Sequence, residues 1–510
     1  MGHNLFVKKV VVTVILLLST AIHPANGEIP KSSFKAPNAT QVKYGHWQYT
    51  FTPTPRLPLS WKVQDYKNTE GDMNLSAVLP VCNGNQTACI KTVEYSVAGS
   101  DWIAADARED QGQREYAFGI LGPQGGWIDR STSTFPEDLG KNQPEGSTAR
   151  LWTFNKAPHV GGTDYEVSAT FKGSKLSNNR YDLSEFRVQI LPMTRVLNVD
   201  RANCPSPSTL IPLVKFSSNG ICQTDYDFPK DLKIRITLTM GSFLSSVRGW
   251  FDGRMRDAEI SISRTSRELV IQGSPIMVSS AASKQIKYED IPNDWFFKPD
   301  ARSIAEQNKS PYGTSIAGDA NLGAIENFLA MEKYILESAI GENSVWNISS
   351  MPDLGGTKCI QSGNVNGLVL TNATVYDPKA PQWNPSNASL NFRVASPHLD
   401  SQGSTIKGYY KMIINEQTAK CYWGQNFSQG TASISVVNQD GSPNIATTNL
   451  GKKYGWVNFE AVGFTFSSPT IVTKISTKPK RKSTILCTAN QKSIKVIGVN
   501  PQCPKGFKKR

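Results

Sequence analysis

Downstream of residue 27 the chain offers three histidines as neutral-pH bases: His46, His159 and His398. They lie far apart, with no HExxH, no HxH and no His within four residues of a Cys, so zinc-ligand spacing is absent. A Ser-His-Asp triad assembles in space, but no GxSxG turn accompanies any of the three. In Ser396-Pro397-His398-Leu399-Asp400 an acid stands two residues after a histidine. Asp400 could orient His398 as a base; the pattern Asp400-Ser401-Gln402-Gly403 favours an Asx turn at a hairpin end instead. Glycoside hydrolysis needs two carboxyl groups about 5 to 9.5 Å apart across a cleft. Glu109/Asp110 and Glu289/Asp290 are adjacent, so on a strand they point to opposite faces and read as solvated charges. Eleven tryptophans, among them Trp47, Trp61, Trp102, Trp127, Trp152, Trp250, Trp295 and Trp423, could stack on sugars; core packing in β-sandwiches is the competing explanation. Phosphate loops, EF-hand loops and dinucleotide fingerprints are missing, and no cofactor or metal is expected.

Charge is distributed unevenly. The segment Lys474–Arg510 holds eleven Lys and Arg and no Asp or Glu. Two more cations, Lys8 and Lys9, lie near the start, which leaves 42 basic residues against 42 acidic ones between. The formal charge of +13 thus describes a neutral body with a cationic end. Lys478, Lys480, Arg481, Lys482, Lys492, Lys495, Lys505, Lys508, Lys509 and Arg510 are the candidate contacts for an anionic cell-wall polymer or membrane surface. A solubilising terminus is the plainer alternative. Nucleic acid would attract any such tail, but Phe507 is its lone aromatic and the body is neutral, so base stacking is not expected.

Lys8-Lys9, the apolar run Val10–Leu18 and Ala25-Asn26-Gly27 make a secretory leader, expected to be removed after Gly27. The apolar run is too short for a comfortable membrane span, and no later stretch is apolar over 18 residues. Leu191-Pro192-Met193-Thr194 matches a sortase LPxT, but it is internal and is read as chance. The eight cysteines fall into neighbours, Cys82/Cys89, Cys204/Cys222, Cys359/Cys421 and Cys487/Cys503. With no CxxC, structural disulfides in an oxidising compartment are expected. Eight Asn-x-Ser/Thr sequons, Asn38 and Asn74 among them, matter only in a host that N-glycosylates.

These residues must be positioned by strands. Leu232–Met240 alternates strictly, and Phe186–Leu191, Glu259–Ser263, Leu269–Gln272, Leu368–Tyr376, Leu390–Ala395, Tyr409–Ile414, Ala432–Asn438 and Val457–Phe466 carry the same period. Turns such as Gln439-Asp440-Gly441 and Ser467-Ser468-Pro469 separate them. One helix is predicted over Leu322–Ile340, capped by Asp319 or Asn321, ended by Gly341, with an apolar stripe of Leu322, Ile325, Leu329, Leu336 and Ile340. Pro299–Asp319 reads as a linker or long surface loop. The expected fold is mainly β: tandem antiparallel β-sandwich-like domains with one helix and a small disulfide-closed C-terminal β-hairpin. Divisions are expected at 1–27 (leader), 28–197, 198–291, 292–473 (helix plus sandwich) and 474–510 (basic module).

Ser483–Thr488 and the ending Val499–Arg510, with its Pro-x-Cys-Pro-x-Gly-aromatic-basic pattern, resemble a short module at the ends of exported actinobacterial proteins. Val394–Asp400, Ala419–Gly424 and Val462–Ser467 are similar to segments accompanying that module, and Gly249–Arg254 and Cys89–Ser96 look alike too. The resemblance implies an organism class and an exported location, and brings no catalytic residues. The expected function is a secreted or surface-associated non-catalytic protein with a binding or structural role, held to an anionic envelope by its tail. The alternative is an extracellular polysaccharide hydrolase tethered the same way, with carbohydrate as ligand.

Overall fold

The computed structural model describes residues 46–53, 61–62, 74–108, 118–121, 127–130, 134–196, 214–216, 222–287, 313–318, 324–351, 359, 364–425, 427, 431–437, 443–444, 447–453, 455–466, 470–476, 483–489, 492–498, 502–503 and 507–509. The leader therefore lies outside the described residues, as do Asn38, Glu109, Asp110, Glu289, Asp290 and the turns at 439–441 and 467–469.

Leu232–Thr239 buries every second residue, as its alternation requires, and forms the middle of a five-stranded sheet. Glu268–Ser274 and Cys89–Val97 flank it, with Arg256–Ser263 and Ile103–Ala104 at the edges, all antiparallel. Its inner face, carrying Val93, Tyr95, Ile234, Ile236 and Ile271, packs on Val167, Phe171, Phe186 and Val188 of a larger sheet. Trp346 ties the two layers together: fully buried, its indole N–H donates to the Gly273 carbonyl at 2.9 Å.

The larger sheet runs Trp61–Lys62, Asn74–Val78, Asp164–Lys175, Tyr181–Val196, Gly341–Ser350, Gly249–Arg254, Val365–Thr371, Lys407–Asn415, Trp456–Thr465, Thr447–Lys453. Along that path only Gly249–Arg254 and Val365–Thr371 pair in parallel. Strands from 28–197, 198–291 and 292–473 hydrogen-bond to one another in this sheet, so it is shared among all three stretches. Its far half carries a second sandwich. Val369, Tyr410, Met412, Val457 and Phe459 face Leu390, Phe392, Val436 and Ile471. The covering sheet is ordered Val375–Tyr376, Ser389–Ala395, Thr470–Ser476, Thr431–Val437, Pro443–Asn444. Because a layer packs on each side, Val365–Thr371 is buried at all seven positions rather than at every second one.

The helix predicted over Leu322–Ile340 is an α-helix over Ala324–Ala330 followed by a 3-10 turn at Glu332–Tyr334. Ile325, Phe328 and Met331 bury its face against Phe51, Ala281 and Val375. The chain then extends. Leu336 N–H donates to Ala282 O and Ile340 N–H to Ser280 O, and Gly341 starts a strand instead of ending a helix. Within the expected linker, Gly313–Gly318 forms a strand parallel to His46–Thr52. A second helix, Glu416–Trp423, is added, with Asn415 Oδ1 accepting from Gln417 N–H at its start.

One buried cation organises the passage from the larger sheet to the covering sheet. Arg254, at 0% exposure, donates from Nη1 to the carbonyls of Thr371 (3.0 Å) and Ala373, and from Nη2 to Thr374 O at 3.1 Å. Its guanidinium lies 4.5 Å from the Tyr376 ring, and the Tyr376 hydroxyl donates to Asp252 Oδ1 at 2.9 Å. Thr374 Oγ1 also donates to Ser279 O at 2.7 Å. Three carbonyls leaving a strand inside the protein need donors, and only a guanidinium supplies them in one planar fork. Replacing Arg254 by Leu is expected to cost about 3 to 5 kcal/mol in chemical denaturation. Arg254→Lys should recover less than half of that, since one ammonium cannot reach all three oxygens.

Candidate functional site

His159 is a structural histidine. Gly161 N–H donates to Nδ1 at 3.0 Å, so Nε2 carries the proton and donates to Asp164 O at 2.8 Å. The ring stacks on Tyr226 (5.1 Å, 27°) and meets Tyr165 edge-on. Gly161 is required there, because a Cβ would lie 2.2 Å from the Tyr226 ring. Burial holds the imidazole below the usual histidine range, with the Asp164 contacts opposing it. Both nitrogens are used, and no lone pair is left for a base.

His398 is exposed, and Asp400 turns away from it in function. Asp400 Oδ1 accepts from Gln402 N–H (2.9 Å) and Ser404 N–H (2.7 Å), the Asx turn that the sequence favours. His46 opens the strand His46–Thr52, and its side chain lies outside the described residues. The LPxT-like Leu191–Thr194 is interior to the strand Tyr181–Val196, with Met193 fully buried. Among the described residues no group of three His, Cys, Asp or Glu could hold a metal. Sequence reasoning missed one carboxylate pair, Glu137 and Glu145. Burial first, then the Glu137 charge, raises the Glu145 carboxyl above its ordinary value. Glu137 itself accepts from Thr87 Oγ1 at 2.6 Å, bracing its loop against the one closed by Cys82–Cys89.

Trp152, Trp250, Trp346 and Trp456 are buried; Trp102, Trp383 and Trp423 are half-buried. Arg235 stacks on Trp102 at 4.2 Å while binding Glu94 through Nε (2.8 Å) and Nη2 (2.6 Å). Trp383 and Trp423 meet at 78°, and Trp423 Nε1 donates to Ala388 O. Rings set perpendicular share no flat platform for a sugar. Trp295 and the side chains of Trp47, Trp61 and Trp127 lie outside the described residues.

The cationic segment does make a defined unit. Ser483–Ala489 and Lys492–Gly498 pair antiparallel, and Lys508–Lys509 adds to the free edge of the first. Ile485 is opposite Val496 and two residues before Cys487, so these three apolar positions share a face. Cys487, wholly buried, is bonded to Cys503 across 16 residues. In the chain-entropy model a loop of that size stabilises by about 3 kcal/mol, which a segment with little core requires. Cys82–Cys89 and Cys359–Cys421 are bonded as well. Cys222 is disulfide-bonded, and its expected partner Cys204 lies outside the described residues.

Lys495, Lys508 and Lys509 are exposed. Lys492 occupies the first position of its strand, while Lys478, Lys480, Arg481, Lys482, Lys505 and Arg510 lie outside the described residues. Lys474 belongs to the covering sheet, paired with Ser389 and Ser433 in the strand Thr470–Ser476. Body cations find body carboxylates: Lys91 with Glu268, Lys172 with Glu185, Arg195 with Glu166, Arg393 with Glu326 and Asp377. Lys452 pairs with Glu416 and Lys453 with Glu259. Among the described residues no ion pair joins Lys495, Lys508 or Lys509 to an acid. No family model, no curated protein and no solved structure matches the chain.

His159 is neutral in the fold and protonates readily once unfolded, so the unfolded chain binds the extra proton below about pH 6.5. Its contribution is full above that pH and lost as the pH falls, by up to about 1.4 kcal/mol per unit. Urea titrations of wild type and His159→Asn between neutral and mildly acidic pH should show that slope in the wild type alone. Asn347, at 8% exposure between Gln189 and Arg254, has no room for a glycan, whereas Asn85 and Asn387 are exposed. In a glycosylating secretory host, Ser349→Ala should raise the yield of folded protein, and removing the Asn85 or Asn387 sequon should not.

Proposed function

We propose that the chain is an exported, envelope-associated protein with a binding or structural role. Its two sandwiches share one continuous sheet, and its disulfide-closed basic module holds a polyanionic surface. The observation that carries this reading is the placement of Lys495, Lys508 and Lys509, exposed on a cross-linked sheet and not paired with the body's acids. A cation already neutralised within its own protein has little left to offer a partner. These three keep their charge available. At about 1 kcal/mol for each lysine near an anionic surface, three supply roughly 3 kcal/mol, a partition of about a hundredfold. The cations at 478–482 add to that. The disulfides favour an oxidising location, and the leader and the resemblance to exported actinobacterial proteins point the same way.

The test is truncation, with the cut placed by the fold. Removing Lys474–Ser476 would damage a central strand of the covering sheet, where Ile475 is buried, so the deletion begins at Thr477. Full-length protein is expected in the envelope fraction and released by ~1 M salt, at which the Debye length falls to about 3 Å. The truncated protein is expected in the medium. Equal retention of both forms would refute the reading.

A further inference from the structure

Resting on that reading of the module, we propose that its ligand is a flexible, linear polymer of phosphodiesters or phosphates that wraps it, rather than the flat face of a lipid bilayer. Lys508 and Lys509 are successive residues of one strand and both exposed, so they project from opposite faces of the sheet. The register fixes which neighbours each joins. Lys508 is opposite Thr488, and Lys495 is opposite Leu486; Leu486 and Thr488 are two apart, so Lys495 and Lys508 share a face. Lys509 is opposite Cys487, which places it on the other face, beside the disulfide.

A plane can touch one side of a three-stranded sheet at a time. Docked on a bilayer by the Lys495–Lys508 side, the module would hold Lys509 away from the headgroups, beyond much of the reach of a screened charge. A chain of phosphates has no such limit, since it can pass around the edge formed by Lys508–Lys509 and meet both faces. Among the described residues the module also presents no exposed apolar anchor. The large exposed hydrophobic side chains among the described residues are Leu139, Val160, Leu176, Met277 and Val462, all in the body and none in the module. A bilayer binder that relies on few cations ordinarily adds such an anchor.

The test uses the full chain and two probes, long-chain inorganic polyphosphate and vesicles of equimolar phosphatidylglycerol and phosphatidylcholine. Lys508→Ser and Lys509→Ser are each expected to weaken polyphosphate binding about fivefold, and the double variant about 25-fold, because the two faces contribute independently. Wild type is expected to bind polyphosphate more tightly than vesicles at equal phosphate. Lys508→Arg and Lys509→Arg should keep wild-type binding, and thiol titration should show the Cys487–Cys503 bond intact in every variant. Vesicle binding as tight as polyphosphate binding, or an effect confined to one face, would overturn the wrapping polymer in favour of a membrane. Undiminished polyphosphate binding by the chain truncated before Thr477 would instead refute the module as the anionic site, a separate failure.

Discussion

The fused sandwiches meet at a buried crossing where the chain leaves the end of Val365–Thr371 in the larger sheet and enters Val375–Tyr376 in the covering sheet. The backbone carbonyls of Thr371, Ala373 and Thr374 there are held by the Arg254 guanidinium. That requirement propagates outward. Arg254 and Asp252 are alternate residues of the strand Gly249–Arg254, and Gly253 between them permits the close approach of both neighbours. A Cβ on Gly253 would lie 2.6 Å from Asn347 O. Asp252 in turn receives the Tyr376 hydroxyl. One strand thus satisfies its own ladder, the crossing loop and the first strand of the covering sheet. Thr374, reaching Ser279, draws in the strand Ile276–Ala282 as well. The polar residues of this strand are interior architecture, although Asp and Arg in a Gly-rich motif would suggest a ligand site on sight.

The legible parts of the fold were those with one wet face. Leu232–Thr239 alternates because water touches its other side, and its boundaries match the pattern to within a residue. Strands buried twice lose that signature, yet Leu368, Val369 and Leu370 still read as strand from their β-branched and leucine content. The helix was overextended for a physical reason. Leu336 and Ile340 continue a helical spacing, but tertiary hydrogen bonds from Leu336 and Ile340 to the strand Ile276–Ala282 compete with the helix and win after Tyr334. Gly313–Gly318 carried too few apolar residues to announce a strand, and its parallel partner is more than 260 residues away. The helix Glu416–Trp423 is short, and its Asn415 and Gly424 ends were the one available sign.

The same distinction applies to the candidate site. The excess of cations in the last segment is visible in composition alone, and so is the closing cysteine pair. Which lysines share a face is not, because adjacent strands must first be placed in register, and the two-residue strand Lys508–Lys509 has no periodicity of its own. Trp102 shows the converse: a half-buried aromatic whose environment is set by Arg235, two strands away across Cys89–Val97.

Body cations pair locally with body acids, whereas Lys495, Lys508 and Lys509 have no such pair among the described residues. Most of the body's ion pairs are at the surface, where each contributes no more than about 1 kcal/mol to stability. Several body acids, Glu268, Glu416 and Glu259 among them, are engaged in this way by Lys91, Lys452 and Lys453. The mutual repulsion of the tail cations is opposed by its covalent closure. Lysine acylation read residue by residue, in the free protein and with polyphosphate bound, examines this account most directly. It predicts that Lys495, Lys508 and Lys509 react fully in the free chain and become protected when the polymer binds, while Lys91 and Lys452 do not change. Tail lysines already protected in the free protein, or polymer protection falling on the body instead, would contradict it.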